Sequence, residues 1–203
     1  MRRPLALVVA AAALATAPLG AQVRPRLAAR FWVAAGGGAG IFRPTCDACS
    51  SATRTGISAD AAVGYDLSPR LAVALMVSGW TSRYAGVRDR QAIVGASAEY
   101  APWPDRPIRI EGGLGFSRYT STAIRFDGTT DRAAADGLGL KIGAGYQLAL
   151  GPGWTVLLQA SALDALPAAL SSNGTPLGVR TSSLTLRFGA VVRWHWSTRP
   201  TWR

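Results

Sequence analysis

The feature that most restricts this chain is an apolar side chain at every second position, repeated in segment after segment. One segment sets Ile57, Ala59, Ala61, Val63 and Tyr65 against Ser58, Asp60, Ala62, Gly64 and Asp66. Another sets Ile108, Ile110, Gly112, Leu114 and Phe116 against Arg109, Glu111, Gly113, Gly115 and Ser117, and a third sets Leu138, Leu140, Ile142, Ala144, Tyr146 and Leu148 against Gly139, Lys141, Gly143, Gly145 and Gln147. A last one runs Leu184, Leu186, Phe188, Ala190, Val192, Trp194 and Trp196 against Thr185, Arg187, Gly189, Val191, Arg193 and His195. A period of two belongs to a strand whose two faces meet different surroundings. The pattern predicts eight strands at roughly 30–42, 56–66, 70–80, 91–101, 108–117, 137–149, 154–163 and 183–196.

The predicted connections alternate in length. Three are short and rich in turn residues: Asp66-Leu67-Ser68-Pro69-Arg70, Pro102 to Pro107, and Gly151-Pro152-Gly153. Four are longer and polar, at about 43–55, 81–90, 118–136 and 164–182. Such alternation places every short turn, with both chain ends, on one rim of an up-and-down antiparallel sheet. The fold class expected is all-β, an eight-stranded up-and-down antiparallel transmembrane β-barrel.

Alternation alone does not say which face is outside, since a soluble lipocalin-like carrier of an apolar ligand has the same period with the apolar face inward. Composition decides for the membrane. Of the 203 residues, 49% are hydrophobic and only 16% charged, against roughly 25% charged in a typical soluble domain. No run is long enough for a membrane helix, so an apolar exterior has to be a β surface. The polar face carries mainly Gly, Ala and Ser, which suits a narrow packed lumen. Aromatic residues also fall near strand ends, where membrane barrels carry girdles at the headgroup level: Tyr65, Tyr100, Trp154, Trp194 and Trp196 at the short-turn rim and Trp80 at the other.

The chain begins with Met1-Arg2-Arg3, an apolar run from Leu5 to Ala17, and a small-residue site ending at Ala21. Residues 1–21 therefore read as a cleaved export signal, 22–29 as a lead-in, 30–196 as the barrel and 197–203 as a C-terminal tail. Taken together, the signal, the eight strands, the tight turns on one rim and the aromatic-ended last strand resemble the small outer-membrane β-barrel family of the outer-membrane protein A transmembrane domain and outer-membrane protein X. The resemblance implies a monomer in the outer membrane of a Gram-negative bacterium, surrounded by outer-membrane lipids and inserted by the barrel-assembly machinery. It departs from the family in one place, because Trp196 is followed by seven further residues.

Both Glu residues of the chain, Glu99 and Glu111, and its only Lys, Lys141, lie on the polar strand faces with Asp60, Arg109, Arg187 and Arg193. Inside a barrel these charges have to pair, and the short connection around Pro104 predicts Glu99 opposite Arg109. A satisfied network keeps a small barrel shut and points to a non-enzymatic role, structural or surface-interacting, carried by the outer loops. A narrow porin-like pore for small solutes is the alternative, with the same network as its gate.

Cys46 and Cys49 are expected to form a disulfide in the first long loop. Two Cys and one His cannot supply four ligands, so no metal is expected, and no cofactor motif is present. His195, the only imidazole, alternates inward on the short-turn rim, the wrong rim for the outer-leaflet chemistry of lipid A deacylases, so no catalytic residue is assigned. The glycine runs lack the strand, turn and helix order of a phosphate loop and are read as marks of curvature and packing. The net charge of +11 comes with no basic helix or lysine patch, so no nucleic-acid partner is expected. Arg43, Arg54, Arg83, Arg88, Arg90, Arg118, Arg125, Arg132 and Arg180 fall in the long connections or their stems, where they could pair with lipopolysaccharide phosphates.

Overall fold

A computed structural model describes residues 31–46, 53–103, 105–124 and 127–196. They form eight strands: β1 (Phe31–Cys46), β2 (Arg54–Asp66), β3 (Leu71–Tyr84), β4 (Val87–Tyr100), β5 (Ile108–Ile124), β6 (Thr130–Gly151), β7 (Trp154–Ser172) and β8 (Thr175–His195). Each pairs antiparallel with the next, and β8 closes on β1. The export signal and the tail proposed from the sequence lie outside the described residues, as does Cys49.

Closure is staggered. From Trp32 on β1 the register passes through Gly64, Ala74, Ser97, Gly113, Lys141, Leu163 and Thr185 and returns to β1 at Phe42, ten residues further on. That shear tilts every strand against the barrel axis and leaves an interior that side chains can fill. It also removes the unpaired edges that would otherwise seek partners.

The two faces separate as the alternation predicts. Leu75, Leu114, Ile142 and Phe188 are exposed on the outer face, while Met76, Ile93, Leu163 and the polar residues between them are buried within. Glycines make the inner room: a Cβ on Gly64 would meet the Trp32 ring at 2.1 Å, and one on Gly40 would meet the Trp80 ring at 2.7 Å. Each glycine is therefore the seat of an indole.

The long connections differ from expectation. Strands run through most of 81–90, 118–136 and 164–182, so the outer rim is built of extended hairpins with tight tips. Ala85 and Gly86 both have positive φ, as do Asn173 and Gly174, which is the geometry of two-residue hairpin loops. At the β5–β6 tip, Asp127 accepts from the Thr129 amide at 2.9 Å and from its hydroxyl at 2.6 Å, and these bonds hold its carboxyl below the usual range. The wall is uneven: β5 to β8 have 17, 22, 19 and 21 residues, and β2 to β4 have 13, 14 and 14. The ladder between β6 and β7 is irregular on the tall side, between Ala135 and Gly139. Pro167, without an N–H to donate, lies in the facing stretch of β7.

Candidate functional site

The seven charged residues singled out in the sequence all point into the lumen. With the stagger taken into account, they form two levels between the short-turn rim and mid-barrel. At the lower level Arg193 of β8 bonds Glu99 of β4 across the lumen, and its guanidinium lies 3.8 Å from the centroid of the Trp32 ring. Arg109 donates to Gln147 Oε1 at 2.8 Å. Below them Trp32 Nε1 donates to Asp66 Oδ1 at 3.1 Å, and His195 Nδ1 stands 3.7 Å from Asp66 Oδ2.

At the upper of these levels Asp60 of β2 is shared. Arg187 Nη2 reaches it at 2.9 Å, Ser78 Oγ donates to it at 2.6 Å, and Lys141 Nζ lies 3.7 Å away. The same Lys141 Nζ is 2.7 Å from Glu111 Oε2, and Arg187 also donates to Ser161 Oγ at 3.0 Å. Cations and carboxylates alternate here, which is how buried charge is tolerated.

The pairing of Glu99 with Arg109 is corrected. The β4–β5 connection leaves Tyr100 opposite Ile110, so the residue facing Glu99 is Glu111. Directly opposed like charges repel. Each carboxylate is instead drawn to its own cation, Glu99 to Arg193 and Glu111 to Lys141.

Nearer the outer rim lies a cluster that the sequence reading missed. The Phe42 ring stacks on Trp80 at 4.7 Å and on Tyr119 at 5.4 Å. Trp80 Nε1 donates to the Gly40 carbonyl at 3.3 Å. Tyr119 Oη donates to Asp89 Oδ1 at 2.8 Å, and Arg54 bonds the other oxygen of the same carboxylate. Just beneath, Thr185 bonds Gln91.

Trp80 is thus corrected from girdle residue to lumen residue: it is only 2% exposed. Its even number puts it on the inner face of β3, and proximity to a rim does not override that parity. Arg54 is likewise turned inward rather than toward lipid. Tyr65, Tyr100, Trp154, Trp194 and Trp196 do lie on the outer side at the short-turn rim, with Phe31 edge-on to Tyr65 at 4.7 Å and Trp194 at 4.4 Å from Trp196. Cys46 ends β1. Among the described residues no group of three or more His, Cys, Asp or Glu side chains is placed to hold a metal.

The arrangement can brace the two sides of a narrow lumen and fill it at successive heights. The geometry has counterparts among known proteins. The family model of the outer membrane protein beta-barrel domain matches residues 5–190. The structure of Neisserial surface protein A is similar, with a TM-score of 0.55 and 18% identity, covering 82% of this chain and 97% of that one. Ail, the attachment invasion locus protein of Yersinia pestis, solved with the heparin analogue sucrose octasulfate, also has a TM-score of 0.55, with 13% identity over 81% of this chain and 99% of its own. At these identities the likeness is one of fold. No curated protein matches.

Proposed function

The chain belongs to the outer membrane protein beta-barrel domain family and resides in the bacterial outer membrane, and on that premise we propose that it is a closed, non-enzymatic monomer that acts at the cell surface through its outer hairpins. The observation that carries this reading is that the lumen is bridged from wall to wall at successive heights. Arg193 with Glu99 spans it near the inner rim, Arg187 and Lys141 with Asp60 span it at mid-barrel, and Phe42 with Trp80 and Tyr119 fills it near the outer rim. A solute crossing the barrel would have to separate buried ion pairs and then unstack three rings. The partners in this reading are lipids along the apolar wall and the assembly machinery during insertion, with Tyr65, Tyr100, Trp154, Trp194 and Trp196 as the headgroup-level girdle on the periplasmic side.

The test is single-channel recording from the folded protein in planar bilayers. No resolved conductance steps are expected. Steady ohmic conductance that changes on Glu99→Gln would overturn the reading in favour of a narrow pore.

A further inference from the structure

Just above the apolar wall, the β3–β4 hairpin carries three arginines on its outer face. Arg83 and Arg88 are directly opposed in the register, and Arg90 follows Arg88 by two residues on the same face, opposite Thr81. All three are exposed on the side of the sheet that also bears Leu75, Val77 and Val94. The next strand adds Thr122 opposite Arg88 and Thr120 opposite Arg90.

A directly opposed pair of like charges costs stability in an antiparallel ladder. Ordinarily a neighbouring carboxylate relieves it. Arg118, on the adjacent strand, has such a partner in Asp136 at 3.4 Å. Among the described residues no carboxylate lies within ion-pair distance of Arg83, Arg88 or Arg90. Asp89, between the last two in sequence, points into the lumen and is taken by Arg54 and Tyr119. The repulsion registers on Arg88, whose pKa is lowered chiefly by Arg90, with burial and then Arg83 as smaller causes.

The hairpin cannot splay to relieve this repulsion, because the strands are paired out to Tyr84 and Val87 and the two-residue turn at Ala85-Gly86 closes them. Three guanidiniums held on one face, with hydroxyls alongside, are complementary to a phosphate, which accepts bidentate bonds from arginine. Direction selects the source. The side chains project laterally from the wall, directly above the apolar stretch, at the depth of the outer-leaflet headgroups.

We propose that Arg83, Arg88 and Arg90 form a binding site for a phosphate group of an outer-leaflet glycolipid. The proposal rests on the membrane placement of the reading above, and is independent of whether the lumen conducts. A bound phosphate would relieve the opposition of Arg83 and Arg88 and anchor the low side of the barrel at a fixed depth.

The experiment uses the full folded chain in phosphatidylcholine vesicles doped with diphosphoryl lipid A, or with lipid A from which both phosphates have been removed, and follows unfolding by the gel shift between heated and unheated samples. Diphosphoryl lipid A is expected to raise the unfolding temperature, and the dephosphorylated lipid to leave it unchanged. The variant carrying Arg83→Gln, Arg88→Gln and Arg90→Gln should fold, show the same gel shift, and bind diphosphoryl lipid A on the order of a hundredfold more weakly, about fivefold per guanidinium. Because surface charge alone contributes some attraction, Arg118→Gln, whose guanidinium is already paired with Asp136, serves as the control and should change binding by less than about twofold, well short of the roughly fivefold of any one site arginine.

An unchanged response of the triple variant would overturn the proposal. So would equal stabilisation of the wild type by sucrose octasulfate or inorganic phosphate in undoped vesicles, which would make the cluster a receptor for soluble polyanions. A conducting wild type would sink the closed-barrel reading while leaving this result intact.

Discussion

The inner part of the lumen and its outer end are closed by different chemistries. Toward the short-turn rim the filling is ionic, with carboxylates from β2, β4 and β5 held by cations from β6 and β8. Toward the outer rim it is aromatic, and the carboxylate of Asp89 beside the rings is tied to Arg54 and a phenol. Both fillings are shut off from water, Glu99 and Arg193 at 5% exposure and Phe42 and Trp80 at 0% and 2%, so the difference lies in the kind of lock. A buried charged pair is costly to break and so fixes one arrangement, whereas stacked rings hold by area and shape.

The largest expected effect is from Glu99→Ala. It leaves Arg193 buried with only the Trp32 face as a partner, and should cost about 3–5 kcal/mol of stability, measured by urea unfolding in lipid vesicles. Replacing both ends of the pair by apolar residues, Glu99→Leu with Arg193→Met, should recover much of that loss. A double variant as unstable as Glu99→Ala would show that the level is held by something other than the pair. Next comes Phe42→Ala, which removes the central ring of the outer stack and should cost about 3 kcal/mol, the low end for a buried Phe. Bilayer recording sharpens the contrast: neither single variant should conduct, since each leaves the other seal in place, and channel steps in Phe42→Ala alone would mean that the ionic levels do not seal. The smallest effect is expected from Tyr119→Phe, about 1 kcal/mol for one hydrogen bond, because Arg54 still holds Asp89. A larger loss would make the Tyr119 hydroxyl, rather than the stack, the keystone of the outer end.

The ionic region was legible in the sequence and the aromatic one was not. Asp60, Glu111 and Lys141 sit on the polar face of clean alternations, so their inward direction could be read by parity. Their partners could not, because pairing across the lumen depends on the shear, and a turn of uncertain length shifts the register by whole residues. Trp80 was misread for another reason: a large ring near a strand end looks like a girdle residue unless its parity is followed. The outer hairpins were hidden because a strand that leaves the membrane has water on both sides. From Arg118 to Asp136 the apolar period fades while the ladder continues. One signal was present, since Asn173-Gly174 is the dipeptide that a two-residue hairpin turn prefers.

The hairpins of the tall side have a bearing on recognition. Segments that could have been slack chain are instead laddered backbone almost to their tips, with the last turn of β7–β8 fixed at Asn173 and Gly174. A ligand meeting such a tip does not first have to order it, so little conformational entropy is lost on capture and more of the contact energy is expressed as affinity. The same rigidity narrows the range of shapes the rim can adopt, and a preorganised rim of this kind favours selectivity over breadth.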